Sequence, residues 1–546
     1  MTRSARDPWT WRTIKPTFSH ESTHSRCYHF QFFICGTNAR FCFYMMYASH
    51  LTFMPKPHKR IFAALAVVVV AAVLLTFPLR REFRKTHQPN SSGAAATTPL
   101  ADDVSRLNAT AIHEIWEIPS DEAAAQSALR ELLKKADKAG IHISIAGARH
   151  SMGGQTIAPG GIRVNMLPLK AMELDEKSDL LHVDAGALWA DAIPYLDRHG
   201  RSVEVMQSDN SFTVGGSLSV NCHGWQYGRP PIASTVESFH LMKADGTVVR
   251  CSRTENKELF ALALGGYGLF GIILDADLHV VRNERLRLEQ VIVPLDSAMA
   301  SFERKLRERG TPRMFYARLN IAPDRMFDEV LINMFYPEQG AIPNLTDPKL
   351  LGLRRAIFRG SVGSGFGKEV RWEAETKIAP HLSGTVFSRN QLMEESADWY
   401  LDHSDATTDI LHEYFLPQDG AVPFLQQAKE IIRAHHADLL NVTVREVETD
   451  NDTFLRYADQ PMIAFVMFFS QRRTAVADRD MEQMTRELID AALDSGGRYY
   501  LPYRLHASVE EFRSAYPRSG EFFRLKQQYD PKKLFENEFY MKYASP

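Results

Sequence analysis

The spacing of apolar residues predicts a helix, a strand and a small-residue turn at the start of the folded region, near residue 105. Apolar side chains recur on one face of 121–139, with Ser120 as a candidate N-cap and Gly140 as the stop. Isoleucines alternate with other residues over 141–145, which predicts a strand. The segment GARHSMGG follows this strand as a glycine-rich turn.

Further strands and one hairpin follow this turn. Asp245 and Gly246 stand between two apolar runs, which is a strong hairpin signal. Thr254 is a candidate cap for a helix that ends at Gly265 and Gly266. These elements predict an α+β domain over 105–284. Its other strands are predicted at 162–166, 180–185 and 270–281.

Longer helical stretches mark a second predicted domain over 285–490. Helical periodicity is found at 391–401 and 423–440, and an apolar strand is predicted at 462–470.

A third segment, 491–546, ends the chain. It contains an aromatic strand over 498–506, a helix after Ser508 and the tail YDPKKLFENEFYMKY.

The region before the first domain predicts attachment to a membrane. Residues 61–79 carry no charge and are long enough as a helix to cross about 30 Å of hydrocarbon, so we expect 54–85 to be a retained anchor. Basic residues flank both sides and leave its orientation open. Residues 1–53 are expected to be a disordered tail or an upstream misread start, and 86–104 a Pro/Ser/Ala/Thr linker.

Composition and charge narrow the classes of function. The chain has 546 residues, of which 45% are hydrophobic and 24% charged, the balance of a globular protein with large cores. Because 64 Lys and Arg stand against 66 Asp and Glu, no overall field favours a polyanion, and we expect no nucleic-acid partner. Five cysteines are too few for a disulfide framework. Cys222 and Cys251 are the two outside the N-terminal tail, and we expect Cys222 to be an ordinary small buried residue.

Two familiar motifs are chance matches. His20 to His24 fit the HExxH pattern of zinc proteases, but they stand in a Ser/Thr-rich tail without a scaffold or a third ligand, so no metal site is expected. Residues 266–271 fit GxGxxG, but a predicted helix precedes them and a predicted strand follows, which is the reverse of a Rossmann unit.

Three small-residue segments carry more information than either motif. They cover 145–155, 213–224 and 265–273, and each brings backbone amide groups to a place where a ligand can approach closely. In this order and spacing they resemble the FAD-binding domain of the vanillyl-alcohol oxidase/p-cresol methylhydroxylase (PCMH-type) flavoproteins. The tail 529–537 resembles the closing segment of the sugar-alcohol and aldonolactone oxidase branch of that family.

This resemblance implies FAD held between two α+β subdomains, with an α+β substrate domain over the flavin ring and the C-terminal segment returning to the FAD domain. It implies cofactor contacts at Gly147, Ala148, Arg149, His150, Ser151, Gly153, Gln155, Gly215, Gly216, Ser219, Asn221, His223, Gly224, Gly271, Ile272 and Asn537.

Two histidines receive specific roles from the resemblance. His150 stands where relatives bond covalently to the flavin 8α-methyl group, a bond that raises the flavin potential. The alternative is a loop histidine hydrogen-bonded to phosphate or backbone. His223 is expected in a turn close to the flavin ring, or else as a packed histidine in a tight turn.

The catalytic side chains are less defined. Relatives of the sugar-alcohol branch carry a His-Trp-x-Lys-like stretch near the reactive face, but 500–506 contains no lysine. Arg504 or His506 are candidates to supply the missing cation or proton acceptor, and Arg445 is another candidate. The alternatives are an Arg445 ion pair with Glu446 or Glu448 at the surface, and solvent-facing edge positions for Arg504 and His506.

The resemblance implies a membrane-anchored FAD-dependent oxidase or dehydrogenase that takes hydride from a CH–OH group of a polyol, sugar or aldonolactone. Oxygen or a quinone is the expected electron acceptor. Two alternatives stay open. One is an enzyme of the same superfamily that oxidises an amine or a lipid-linked sugar, and the other is a non-catalytic binding protein with the same fold.

Overall fold

The computed structural model describes residues 99–346, 351–397 and 400–544. The predicted tail, the predicted anchor helix over 61–79 and the HExxH match lie outside these residues. Within the described ranges, no helix is both long and apolar enough to cross a bilayer.

The first part of the chain forms sheets that support the small-residue loops. The strands of this part are β1 (Leu100–Ala101), β2 (Thr110–Ala111), β3 (Glu114–Glu117), β4 (Ile143–Ala146), β5 (Ile162–Asn165), β6 (Met172–Asp175), β7 (Leu180–Asp184), β8 (Arg201–Val203), β9 (Val236–Met242), β10 (Val248–Ser252) and β11 (Ile272–Arg282). A parallel sheet has the strand order β3-β5-β4, and a larger antiparallel sheet has the order β10-β9-β11-β7-β6, with β8 paired to β11. Its helices are α1 (Glu122–Ala139), α2 (Trp189–Arg198), α3 (Val214–Ser219) and α4 (Lys257–Ala263), with a 3-10 turn at Ile232–Thr235.

The helix α1 confirms the predicted amphipathic pattern and its stop. Its apolar face, including Leu129 and Leu133, is buried, and Gly140 ends it in the left-handed conformation with φ 65°. The N-cap is Asp121, whose side chain accepts a hydrogen bond from the Ala124 amide at 2.9 Å, and not the predicted Ser120. Because Ser and Asp both cap helices, the sequence pattern alone could not decide which of the two adjacent residues is the N-cap.

The predicted hairpin is confirmed, but the helix after it begins later than predicted. Gly246 has φ 80° in the turn between β9 and β10, and the Asp245 carboxylate accepts the Thr247 amide at 2.9 Å. Thr254 does not cap α4. Its amide instead donates to Ser252 Oγ at 3.2 Å, and α4 starts after Asn256, which takes the left-handed conformation with φ 48°.

The second part of the chain forms one antiparallel sheet of eight strands, in the order β15-β12-β14-β13-β17-β18-β16-β19. The strands are β12 (Arg285–Pro294), β13 (Met314–Leu319), β14 (Glu329–Pro337), β15 (Val386–Ser388), β16 (Thr407–Leu416), β17 (Asp438–Val447), β18 (Met462–Arg472) and β19 (Arg498–Tyr499). The helices are α5 (Ala298–Arg309), α6 (Leu351–Gly360), α7 (Gly365–Leu382), α8 (Arg389–Met393), α9 (Ala421–Ala434) and α10 (Ala475–Asp494), with 3-10 turns at Leu295–Ser297 and Pro323–Arg325. The helices α9 and α10 pack on each other, and α10 covers one face of the sheet at β16 and β18.

Two predicted helices of this part extend too far. The helix predicted over 391–401 is only the short α8, which ends at Met393. The helix predicted over 423–440 ends at Ala434, because His436 turns in the left-handed conformation with φ 48° and the chain enters β17. In both segments helical periodicity continues past the point at which tertiary packing redirects the backbone.

The aromatic strand predicted over 498–506 is also shorter than expected. Only Arg498 and Tyr499 pair with β16, and the chain then leaves the sheet. Pro502 follows, and its carbonyl accepts the Met152 amide at 2.8 Å, so this segment crosses to the first part of the molecule.

The C-terminal helices are α11 (Val509–Ala515), α12 (Ser519–Tyr529) and α13 (Glu538–Tyr543). Ser508 and Glu511 form a capping box at α11, which confirms the predicted helix after Ser508. The tail then returns to β4. The Ile143 amide donates to the Leu534 carbonyl at 2.7 Å, and the Glu536 amide donates to the Ile143 carbonyl at 3.0 Å.

Ordered structure begins earlier than the predicted residue 105, so the end of the predicted linker is folded. Leu100–Ala101 pairs with Thr110–Ala111, and the buried Asp103 accepts the Ser105 and Gly154 amides. The sequence did not predict these hydrogen bonds, because this segment has no apolar periodicity.

Candidate active site

A cavity of about 680 Å³ lies between the small-residue loops and the face of the eight-stranded sheet opposite α10. This volume is in the range of sites that bind cofactors and small molecules. Of the predicted cofactor contacts, the cavity is lined by Gly147, Ala148, Arg149, His150, Ser151, Gln155, Gly215, Gly216, Ser219, His223 and Gly271.

The loop after β4 offers unused hydrogen-bond donors to this cavity. The amide groups of Gly147, Ala148, Arg149 and Ser151 donate no hydrogen bond to any described residue, and Ser151 Oγ is buried without a partner there. Arg149 stands in the left-handed conformation with φ 63°. Successive outward-facing amides of this kind form an anion-binding concavity.

Glycines let the first two loops come into direct contact. A Cβ on Gly147 would overlap the Thr213 hydroxyl, and a Cβ on Gly215 would lie 2.7 Å from Ala185 Cβ at the end of β7. Thr213 caps α3 by accepting the Gly216 amide at 3.1 Å. The two loops therefore form one wall with small side chains, as a pyrophosphate group requires.

Three predicted cofactor contacts are buried in the framework behind this wall. The Gly153 amide donates to Gln155 Oε1 at 3.0 Å, and a Cβ on Gly224 would overlap the Met206 carbonyl. Ile272 is fully buried in β11. These residues hold the loops in shape and do not line the cavity.

Two predicted asparagines also act behind the wall. Asn221 donates to Asp450 at 3.0 Å, and Asn537 donates to the carbonyls of Gln155 and Tyr267, both at 2.9 Å. Asn537 therefore ties the first loop to the third, and does not face the cavity.

His150 is held by a polar chain on one side and a stacked ring on the other. Its Nε2 lies 3.0 Å from Ser211 Oγ, and its ring stacks on Phe212 with centroids 4.1 Å apart. Ser211 donates to Asp209 at 2.6 Å, and Tyr400 donates to the other Asp209 oxygen at 2.8 Å. Because Ser211 donates its hydroxyl proton to Asp209, its oxygen must accept a hydrogen bond from His150 Nε2. We therefore assign the imidazole proton to Nε2 and the lone pair to Nδ1.

His223 forms a buried pair with Glu413 of β16. The distance from Nε2 to Oε1 is 2.5 Å, and the two side chains are only 4% and 3% exposed. Tyr503 donates to the other Glu413 oxygen at 3.1 Å. Burial acts to raise the pKa of Glu413, but His223, Arg445 and the hydrogen bonds from His223 and Tyr503 together hold it below its ordinary value. Glu413 is therefore ionised at neutral pH, and His223 Nδ1 is buried without a partner among the described residues.

Arg445 lies in the cavity wall near this pair. It donates from Nη2 to Ser208 at 2.7 Å, its Nε is buried without a partner, and it forms no ion pair with any described residue. The alternative of a surface ion pair with Glu446 or Glu448 is wrong, because Arg445 pairs with neither carboxylate and lines the cavity. Arg445 thus offers an uncommitted cation and N–H donor to the cavity.

The other two predicted catalytic residues lie elsewhere. Arg504 pairs with Asp478 at 3.0 Å, and His506 Nδ1 lies 2.8 Å from Thr485 Oγ1 on α10. Burial, with Arg504 and other cations nearby, moves the pKa of His506 well below its ordinary value, so it is a neutral core residue and not a solvent-facing one. The prediction was wrong because the chain leaves β19 after two residues, which takes Tyr503 to the cavity and 504–506 past it.

Sequence reasoning missed several functional candidates. Asp209 and Ser211 carried a weak signal, as polar residues directly before the second loop. Glu413 carried a better signal, because an acidic residue stands inside the apolar strand β16 on the same side as Leu411. Cys222 is buried as expected, and burial raises the pKa of its thiol to about 12.

Comparisons with known proteins agree with this geometry. Residues 122–252 match the family model described as FAD binding domain. L-gulonolactone oxidase of Mus musculus is 29% identical over 183 residues, which cover 32% of this chain and 41% of that protein. Cytokinin dehydrogenase 10 of Oryza sativa subsp. japonica is 35% identical over 143 residues, covering 24% of this chain and 26% of the relative.

A bacterial relative extends the comparison. The uncharacterized oxidoreductase ORF5 in fasciation locus of Rhodococcoides fascians is 28% identical over 196 residues, covering 35% of this chain and 44% of the relative. The chain thus spans less than half of the length of these curated relatives. The match over residues 122–252 shows that this chain carries an FAD-binding domain, and the free amides of the first loop and the glycine contacts lie within it.

Proposed function

We propose that the protein is an FAD-dependent oxidoreductase that oxidises a CH–OH group of a small hydroxylated molecule. The observation that carries this proposal is the shared cavity. It brings the loops of the FAD-binding domain together with the His223–Glu413 pair and Arg445 of the eight-stranded sheet. A buried histidine–carboxylate pair that faces the same cavity as the cofactor loops favours a catalytic role over a purely binding one.

The first two loops would hold the cofactor. The free amides of Gly147, Ala148 and Arg149 suit its pyrophosphate, and Ser151 Oγ supplies an additional polar contact. FAD supplies the hydride acceptor when bound.

His150 is proposed to bond covalently to the flavin 8α-methyl carbon. The Ser211 contact leaves Nδ1 as the basic nitrogen, and the Phe212 stack fixes the ring. His150 would hold the cofactor through this bond, and FAD would itself supply the two-electron oxidation that is needed when a C–N bond takes the place of a methyl C–H and an imidazole N–H.

Acid denaturation tests this linkage. Wild-type protein should keep its yellow colour on the precipitated polypeptide, whereas His150→Ala should release all of it. His279→Ala is the matched control, since that histidine pairs with Glu237 at 3.1 Å on the surface. Release of all flavin from the wild type would show that the link is absent.

The His223–Glu413 pair is proposed to take the hydroxyl proton of the substrate. The Glu413 carboxylate orients the ring and stabilises its protonated form, so that Nδ1 is the acceptor. Arg445 Nε would donate to the substrate oxygen as it becomes negative. Glu413 and Arg445 stand on β16 and β17, the strands on either side of β18.

The substrate class is proposed from the relatives. The name of the L-gulonolactone oxidases points to a sugar lactone, and hence to polyols, sugars or aldonolactones here. The cytokinin dehydrogenase relatives favour a second candidate, oxidation of an amine. Anaerobic mixing of the purified protein with each class separates the two, because only a substrate bleaches the flavin band. Bleaching by amines alone would overturn the CH–OH proposal.

Attachment to a membrane through 61–79 and reoxidation by oxygen or a quinone complete the proposal. The stretch without charge supports the anchor. Full-length protein should sediment with membranes and a variant starting at residue 99 should not. Equal partition of the two would contradict the anchor.

A further inference from the structure

The cavity continues well past the candidate reaction centre. Arg318, Thr443, Val466 and Glu413 are direct cross-strand neighbours on β13, β17, β18 and β16, and all four line the cavity. With strands about 4.8 Å apart, Arg318 lies roughly 14 Å from Glu413 along this row. A ligand that reaches Arg318 therefore extends far beyond the group that is oxidised.

Positive charge is concentrated at this far end. Arg318 and Arg371 of α7 share the Asn441 side-chain oxygen, at 2.6 and 3.4 Å, and the Glu375 carboxylate, at 3.5 and 2.9 Å. Two guanidinium groups thus stand against one carboxylate. Arg354 and Glu395 also line the cavity, and because they pair with each other they add no net charge.

The two arginines differ in how far the protein already uses them. Arg371 is buried and donates from all three nitrogens, including Nη1 to the Leu440 carbonyl at 2.8 Å. Arg318 donates only from Nη2 to described residues, and its side chain is 23% exposed towards the cavity. Burial and the nearby Arg318 lower the pKa of Arg371 to about 10, in keeping with the excess of positive charge.

We propose that Arg318, backed by Arg371 and Asn441, forms a subsite for the anionic group of the substrate, a phosphate or a carboxylate. Guanidinium groups bind such anions through charge-assisted hydrogen bonds, and the N–H groups on Nε and Nη1 of Arg318 donate to no described residue. The inference rests on the proposed function and restricts its substrate class. The substrate is a hydroxylated anion whose charged end lies about three strands from the carbon that is oxidised.

Calorimetric titration of the holoenzyme tests the subsite without turnover. The probes are sorbitol, gluconate, sorbitol phosphate and inorganic phosphate. Wild type should bind at least one of the two charged polyols roughly tenfold more tightly than sorbitol, because charge-assisted hydrogen bonds are gained. Whether gluconate or sorbitol phosphate binds more tightly tells a carboxylate from a phosphate ligand.

Arg318→Gln should remove this preference, whereas Arg318→Lys should keep part of it. Arg304→Gln is the matched control, since Arg304 lies on the surface of α5 with its side chain 54% exposed. Equal affinity of the wild type for neutral and charged polyols would overturn the subsite, as would a preference that survives Arg318→Gln. If Arg318→Gln does not fold, loss of the preference in wild type at high salt and its weakening in Arg318→Lys decide the question.

These outcomes are distinct from failure of the proposed function. Protein without flavin would contradict the function, yet the difference in phosphate binding between wild type and Arg318→Gln would still test the subsite. Conversely, a flavoprotein that oxidises sorbitol but binds gluconate and sorbitol phosphate no more tightly than its Arg318→Gln variant does would keep its function and lose the subsite.

Discussion

At the scale of single residues, the buried pair of His223 and Glu413 is the feature that packing does not explain. Burying an ionised carboxylate costs several kcal/mol, and a well-packed apolar pair is often as stable. Glu413 is nevertheless fully enclosed, contacted by His223 and Tyr503, and kept ionised. A group held in this state beside a ligand cavity is suited to proton transfer.

Removing the charge of Glu413 should therefore affect turnover more than cofactor binding. Glu413→Gln keeps the shape but no longer stabilises protonated His223, so we expect kcat to fall by about 100-fold or more with the flavin spectrum intact. The double variant His223→Gln/Glu413→Gln should lose no more than the single one, because the two act as a unit. Stopped-flow measurement of flavin reduction gives the rate loss of the single and the double variant. Additive losses would contradict the view that His223 and Glu413 act as a unit.

Ser211 should control formation of the flavin bond. Ser211→Ala removes the acceptor for the His150 Nε2 proton, so the lone pair is no longer confined to Nδ1. We expect covalent incorporation to slow by about tenfold or more while FAD still binds noncovalently. The fraction of flavin retained after acid precipitation, followed over time after FAD is added, gives the rate. An unchanged rate would mean that the polar chain through Asp209 is structural only.

At the scale of elements, the sequence predicted what depends on local chemistry and failed where distant contacts decide. The helix α1, the hairpin at Gly246 and the capped helix at Ser508 follow from caps and turn residues within a few positions. The early ends of α9 and β19 depend on packing between parts of the chain far apart, which single-sequence periodicity does not contain.

The small-residue loops provide a sharp test at this scale. Gly147→Ala places a methyl group on the Thr213 hydroxyl, which should cost about 1–3 kcal/mol and weaken FAD retention. Gly520→Ala is the control, because its Cβ would meet nothing within 4 Å and alanine favours the helix α12. Thermal melts with and without added FAD separate the two effects. Normal flavin content in Gly147→Ala would show that the two loops need not touch.

A cross-strand pair between β7 and β11 should make stability depend on pH. His182 faces Asp277 at 2.9 Å, and this hydrogen bond raises the pKa of His182 to about 9. Its contribution is present below the unfolded pKa of about 6.5 and is lost as the pH rises from there to about 9. Because the pair is nearly half exposed, we expect less than about 1 kcal/mol. Urea unfolding at about pH 6.5 and about pH 9 measures this effect. The free energy of unfolding should change less between the two pH values for His182→Gln than for wild type.

At the scale of the whole molecule, segments at 100–111 and 529–544 complete the FAD-binding part. The resemblance predicted the return of the C-terminal segment, and the backbone bonds between Ile143 and 534–536 show how it is attached. It did not predict that Asp103 of the N-terminal segment would accept the Gly154 amide, or that the eight-stranded sheet would supply Glu413. These contacts join residues 51 and 190 positions apart, and their chemistry leaves no periodic pattern in the sequence.

The side chain of Asn537 joins the C-terminal segment to two of the cofactor loops. Its amide nitrogen donates to the Gln155 and Tyr267 carbonyls, and its oxygen accepts the Tyr540 amide at the start of α13. Asn537→Ala therefore removes a helix cap and separates the first loop from the third, at a cost of about 2 kcal/mol or more. Asn537→Asp keeps the cap but loses both donated bonds.

If the contact that Asn537 makes between the first and third loops sets the shape of the cofactor site, both variants should lose FAD to a similar extent, while only the alanine variant should weaken α13. Hydrogen exchange of α13 and the flavin content of the two proteins measure these effects separately, and full flavin in Asn537→Asp would show that the tail serves stability alone.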